Sequence, residues 1–418
     1  MASGGTARTV SQIANATVYR NSALTWDDTR KISSFITPNE QTIAGFAARA
    51  IAGGSPQQLP LSAKIFQAMR IFDAVGAYGI TYVEDPDSPF SKALGKAEVV
   101  DTVRFPRTTL SNRTGDCDDT TALVCSLFES AGIRTAVLTT PGHIFMAFDS
   151  GEPAENLRWL SSPSLAAIAS GGSTWIPLET TVLTRGFMAG WASASELVKK
   201  YSGPGPFEFL PLAAMRDAYP ALPLPPSAIA IAEPSAARVD AAFSASSAGF
   251  VSALYSARVK EMDDAMAGLS GRQAVAARVQ EGVLHALFGK MTEAEASFRK
   301  AMADDPSLVS PYVNLANVRL LSKDTDGALA VVTQGLGRNG GSALLNLLAA
   351  RIYAEKGDAS LAAAHFAKVK AAAPDLAARF PELAGAAGAR TAQASGNQAT
   401  GRASQAGESP TVIWDSDR

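Results

Sequence analysis

Apolar residues fall near helical spacing from Thr25 to about Ala52: Ile32, Phe35 and Ile36, then Ile43, Phe46, Ala47, Ala50 and Ile51, with Pro38-Asn39-Glu40 between them. A period near 3.6 gathers such residues on one face, so two short helices are predicted. Gly53-Gly54-Ser55-Pro56 closes the second. Ile65, Met69, Ile71, Phe72, Val75 and Tyr78 predict a longer helix between Pro60 and about Tyr82. Leu123, Val124, Leu127 and Phe128 mark the buried face of a helix from Asp118 to about Ala131, which Gly132 ends. The pattern then shortens to strands at 134–139, His143–Phe148 and Trp175–Leu178, with Gly171-Gly172-Ser173 turning a hairpin into the last. Gly186-Phe187 to Tyr201 returns to helical spacing and closes the domain. The fold class this predicts is α+β: a helix packed on an antiparallel sheet.

Beyond residue 202 the pattern changes twice. Residues 203–236 carry Pro204, Pro206, Pro211, Pro220, Pro223, Pro225, Pro226 and Pro234, a linker or a wrapped, extended segment. Residues 237–384 read as an all-α domain, opening with an alanine-rich helix from Ala237 to about Leu269. From residue 275 a 34-residue period appears. Small residues recur at Gly282, Ala316 and Ala350, then at Ala294, Ala328 and Ala362; large ones at Phe298, Val332 and Phe366; helix breakers at Pro306, Gly340 and Pro374. Four columns in register over three copies (about 275–308, 309–342 and 343–376) resemble the tetratricopeptide repeat. That resemblance implies stacked antiparallel helix pairs whose concave face takes a protein partner. His285 and His365 fall inside these helices and are read as packing or surface residues.

Residues 1–24 are expected to be weakly ordered, and 385–418 to form a disordered tail of alanine, glycine, serine, threonine and glutamine. Val412-Ile413-Trp414 in that tail has the makings of a short docking motif. Composition is globular, with 47% hydrophobic and 18% charged residues, and the net charge of −2 gives no pull toward nucleic acid. No apolar run is long enough for a membrane-spanning helix. The start, Met1-Ala2-Ser3-Gly4-Gly5-Thr6, does not read as a signal peptide. Glu84-Asp85-Pro86-Asp87 is acidic but lacks the spacing of a calcium loop, and is read as a solvated turn. No cofactor and no metal are called for.

Candidate chemistry rests on scarce residues. The chain has two cysteines and three histidines. Cys117 and Cys125, eight apart on one helix, are about 12 Å apart at about 1.5 Å per residue, too far for a disulfide. Cys125 lies within the apolar helix and is read as structural. Cys117 begins that helix, bracketed by Gly115-Asp116 and Asp118-Asp119. A helix N-terminus and a nearby imidazolium both favour a thiolate, whereas three acids oppose it; their simplest role is to cap the helix. His143, in Pro141-Gly142-His143, is the histidine outside the repeats and so the candidate base. Glu179, ending Trp175-Ile176-Pro177-Leu178-Glu179, is the candidate to orient it, with Asp149, Glu152 and Glu155 as rivals. Backbone N–H groups at the helix start are placed to stabilise an oxyanion.

Arg113-Thr114-Gly115-Asp116-Cys117-Asp118-Asp119, a helix ending in Gly132-Ile133, a strand, Gly142-His143 and the later Trp-Ile-Pro-Leu-acid-Thr-Thr together resemble the bacterial transglutaminase-like superfamily over about residues 40 to 200. The resemblance implies a papain-like core within a domain at 25–202 and a triad of Cys117 as nucleophile, His143 as base and Glu179 as third member, where the family usually has Asp. It implies amidase- or protease-like acyl transfer on protein or peptide carboxamides through a thioacyl intermediate. Either water or an amine is the acceptor. It also implies a cell-envelope or periplasmic setting. The other reading kept open is a catalytically weak or inactive scaffold that works through its repeats.

Overall fold

The computed structural model describes residues 19–53, 61–84, 90–96, 99–203, 205–227, 229 and 231–388. The expected weak order of residues 1–18, most of the acidic turn at 85–89 and the tail from 389, with its Val412-Ile413-Trp414, lie outside them. The chain divides into two units, Met1–Leu254 and Tyr255–Arg418.

The first unit opens with strand β1 (Ala23–Thr25) and a 3-10 helix at Thr29–Phe35, followed by helices α1 (Gln41–Ile51) and α2 (Ala63–Tyr78). The first of the two expected short helices is thus a 3-10 turn. Residues 23 and 24, placed with the weakly ordered start, pair with a strand instead. Gly79, with φ of 92°, stops α2 and turns the chain into β2 (Thr81–Tyr82). Then come α3 (Phe90–Ala93), β3 (Val100–Thr102), which pairs with β1, α4 (Pro106–Asn112) and β4 (Thr114–Gly115). β2 pairs in parallel with β4.

Helix α5 (Cys117–Ser130) begins directly after β4. Asp116 is its N-cap, accepting the N–H of Asp119, so one acid serves the capping role expected for the group. Gly132, at φ of 76°, ends it. β5 (Thr135–Thr140) and β6 (His143–Pro153) form a hairpin. Next come α6 (Leu157–Leu160), β7 (Ile168–Ser170), β8 (Ser173–Leu178) and α7 (Phe187–Tyr201). β9 (Glu208–Pro211), inside the proline-rich stretch, adds a fifth strand, giving a curled antiparallel sheet of order β7-β8-β6-β5-β9. The segment foreseen as linker or wrapped chain therefore contributes to the sheet. It continues through α8 (Leu212–Arg216), after which the Leu222 N–H bonds the Ser34 carbonyl and Arg107 donates to the carbonyl of Pro225.

Both sheet faces are covered, which is why β5 and the first half of β6 are buried without alternation. Phe128 of α5 meets Phe148 edge-on at 5.5 Å on one face. On the other face Phe145, Ala147 and Trp175 pack with Ala194 and Val198 of α7. The burial of Phe145 and Phe148, three positions apart on one strand, follows from the alternation of side chains across it.

Helix α9 (Ala236–Met266) carries the chain into the second unit. Among its described residues that unit holds three helical hairpins: α10 (Gly271–Leu287) with α11 (Met291–Asp304), α12 (Ser310–Leu321) with α13 (Thr325–Arg338), and α14 (Ala343–Glu355) with α15 (Ala359–Ala372). The small columns of the 34-residue period lie where helices meet. Ala294, Ala316, Ala328, Ala350 and Ala362 are buried, and Phe298, Val332 and Phe366 fill the space beside them. α16 (Pro374–Ala378) and α17 (Pro381–Gly388) follow, so residues 385–388 of the expected tail are helical. His285 is buried against Tyr255, and His365 bonds Asn346 and stacks on Tyr353. Among the described residues no helix is long and apolar enough to cross a membrane.

Candidate active site

Cys117 opens α5, His143 opens β6 and Glu179 directly follows β8. The sheet sets their spacing: the β6–β8 register pairs Met146 with Leu178, which brings the strand ends that carry His143 and Glu179 to one edge. His143 Nε2 and Glu179 Oε2 are 2.6 Å apart. A carboxylate only accepts, so this contact puts the ring proton on Nε2 and leaves the Nδ1 lone pair as the basic site. The other carboxylate oxygen, Oε1, accepts the N–H of Thr181 at 2.9 Å and its hydroxyl at 2.8 Å. Both oxygens of Glu179 are thus committed and the side chain is fixed. Its backbone N–H donates to Gly190 O at 3.0 Å.

Cys117 is 5% exposed. The backbone N–H of Ile144, the residue after His143, lies close enough to the thiol to act on its pKa, which places the cysteine near the start of β6. Burial pushes the Cys117 thiol far above its usual range; Asp118, Asp116 and Glu179 add to the rise and the Ile144 N–H opposes it. The resting form is therefore the neutral thiol.

The acids around Cys117 crowd one another. Asp118 is fully buried, and its carboxyl is driven well above the usual range by burial first and by Asp116 second. Burial, then Asp116, raises Asp119 to about 7, against the Arg104 backbone N–H and guanidinium that bind it at 2.6 and 2.7 Å. Oxygens of Asp116, Asp118 and Asp119 converge within 4.8 Å of one another, so these acids have the spacing of cation ligands. Arg104 binds Asp119 and the Asp119 N–H meets Asp116 and Asp118 Oδ1, while Asp118 Oδ2 is buried without a hydrogen-bond partner.

Two of the rival acids, Asp149 and Glu152, are engaged elsewhere. Asp149 pairs with Arg134, and Glu152 accepts the Ser62 N–H and the Asn156 amide. Cys125 is fully buried, with burial raising its thiol, and lies near the Thr135 hydroxyl. Thr120, Thr121 and Thr180, which sequence reasoning passed over, tie the Glu179 loop to α5 through hydroxyl contacts of 2.9 and 3.1 Å. Thr180 lies in the Trp-Ile-Pro-Leu-acid-Thr-Thr motif, but no local signal pairs it with residues sixty positions earlier.

No family model matches the chain, and no curated protein matches it. Among solved structures, the crystal structure of MamA overlaps 36% of this chain and 91% of its own, at 16% identity and a TM-score of 0.26. An overlap of that degree decides nothing about this chain.

Proposed function

We propose that the first unit is a transglutaminase-like thiol site that transfers acyl groups from peptide or protein carboxamides, and that the helical hairpins are a tetratricopeptide-type surface for a protein partner. The observation that carries the first part is the 2.6 Å His143–Glu179 contact beside a cysteine at a helix N-terminus. Because the thiol rests neutral, attack and proton transfer run together. Cys117 Sγ bonds the acyl carbon as its proton passes to His143 Nδ1, and Glu179 stabilises the imidazolium that forms. The amine leaves with that proton, and water or a second amine then releases the thioacyl group.

The test is release of ammonia or amine from carboxamide-bearing peptides, comparing the protein with Cys117→Ala and His143→Ala. Turnover that both variants lose is expected. Equal release by all three proteins would end this reading.

One observation favours a second reading. The thiol is buried and held neutral, which suits a scaffold that keeps the fold without turnover. In that case the repeats carry the function, and Cys117→Ala leaves partner binding unchanged while no peptide is turned over.

A further inference from the structure

Tyr82 plays no part in the mechanism above, yet it stands near Cys117, Asp116 and Glu179. It ends β2, which pairs with β4 so that Tyr82 lies opposite Gly115, and the Val83 N–H donates to Gly115 O at 2.9 Å. β4 runs through Asp116 straight into Cys117. β2 also packs against the 3-10 helix Thr180–Arg185, which starts from Glu179. The strand that carries Tyr82 is thus held by the segment that delivers the nucleophile and by the segment that delivers the carboxylate.

Tyr82 differs from its neighbours in exposure. It is 41% exposed, whereas Cys117, Asp116 and Glu179 are almost wholly buried. It therefore combines access to solvent with a place near the buried thiol. Partial burial, then the nearby Cys117, Glu84, Asp116 and Glu179, raises its phenol to about 12. The hydroxyl keeps its proton across the working range of a protein and remains a hydrogen-bond donor.

We propose that Tyr82 is a further catalytic residue, its hydroxyl donating a hydrogen bond to the substrate acyl oxygen as Cys117 attacks. The inference rests on the reading of Cys117 as the nucleophile. The Sγ–C bond forms, the carbonyl π pair moves onto oxygen, and the thiol proton goes to His143. The oxyanion receives the Tyr82 O–H together with a backbone N–H at the start of α5. When the pair returns, the bond to the leaving group breaks and that group takes the proton from His143. Tyr82 gives up no proton at any stage.

The experiment compares two reactions of the same thiol in the full-length protein and in Tyr82→Phe. Acylation by p-nitrophenyl acetate passes through an oxyanion; alkylation by iodoacetamide is a direct displacement and forms none. Mass spectrometry locates both adducts on Cys117. Removing one oxyanion donor is expected to slow acylation about 100-fold while alkylation keeps its rate. Acylation slowed by less than about threefold overturns the role of Tyr82 and leaves that of Cys117 standing. Equal slowing of both reactions overturns it too, because the ring would then only shape the thiol's surroundings. If the unaltered protein is acylated no faster than Cys117→Ala, both readings fall together.

Discussion

The hydroxyl of Thr180 lies 2.9 Å from that of Thr120, and both are buried. One follows the carboxylate of the site and the other sits in the first turn of the helix that Cys117 begins. Thr120 also donates to the Asp116 carbonyl at 2.7 Å, so the network reaches the N-cap of α5. Thr180→Val keeps the shape and removes the hydroxyl. It strands the Thr121 partner in a dry site, a loss of about 1–3 kcal/mol. Urea denaturation checks this, and an unchanged midpoint would show that the threonines do not hold the two arms together.

Glu179→Gln retains size and hydrogen-bonding oxygen but removes the charge that stabilises an imidazolium. A comparable carboxylate-to-amide change in a serine triad lowers turnover about 10⁴-fold; a fall of at least tenfold is expected here, since a thiol depends less on its base. Peptide amine release measures it. Full activity in Glu179→Gln would show that the carboxylate is only structural.

Gly190 of α7 faces the carboxylate arm. A Cβ there would meet the Phe72 ring at 2.7 Å and the Glu179 carbonyl at 3.2 Å. Gly190→Ala must push α7 or Phe72 aside, costing about 1–3 kcal/mol. A matching drop in the urea midpoint is expected, together with slower Cys117 acylation as Glu179 moves.

Asp73 of α2 accepts the Phe187 N–H at 2.8 Å and so caps α7, whose own N-cap is Gly186. Burial raises its carboxyl from 3.8 to about 6, opposed by Ser246 and Phe187. The folded state therefore binds this proton more tightly than the unfolded chain. Between about pH 4 and about pH 6 the native state holds more protons, so this group's contribution to stability is present at low pH and is lost as pH rises through that window. The shift is about two units, equivalent to about 3 kcal/mol. Asp73→Asn keeps an oxygen for Phe187 and removes the titration. Relative to the unaltered protein it should gain stability from pH 4 to pH 7, in urea melts at several pH values. Parallel profiles would show that Asp73 does not titrate in this range.

In the second unit, Gly282 is the small residue of the first hairpin. A Cβ added there would lie 2.5 Å from Phe298 Cε1. The second hairpin carries Ala316 with the smaller Val332 in the matching places, and the third carries Ala350 with Phe366. Gly282→Ala should destabilise the hairpins by about 1–3 kcal/mol while leaving the rate of Cys117 alkylation unchanged.

Much of this molecule is legible in its sequence. Gly132 stops a helix because it adopts a positive φ, and the apolar runs around His143 and Trp175 are strands, whereas the helix expected to reach about Tyr82 stops at Gly79. β9 was hidden by composition. Glu208-Phe209-Leu210-Pro211 sits among prolines, but as an edge strand beside β5 it tolerates Pro211 at its end. β2 and β4 were too short to carry a period. Tyr82 accordingly stood out only once β2 was seen against β4.

The sequence by itself determined the elements, the 34-residue rhythm and the short stock of thiols and imidazoles, because turn glycines and apolar spacing act over a few residues. Which acid meets the His143 ring was decided by the tertiary structure alone. Asp149, Glu152 and Glu179 are all near strands, and only the β6–β8 register, with the threonine contacts across sixty residues, selects Glu179. The same holds for the acids beside Cys117. Only the fold buries Asp118 fully against Asp116, and that burial drives its carboxyl well above the usual range, because adjacent negative charges removed from water are costly.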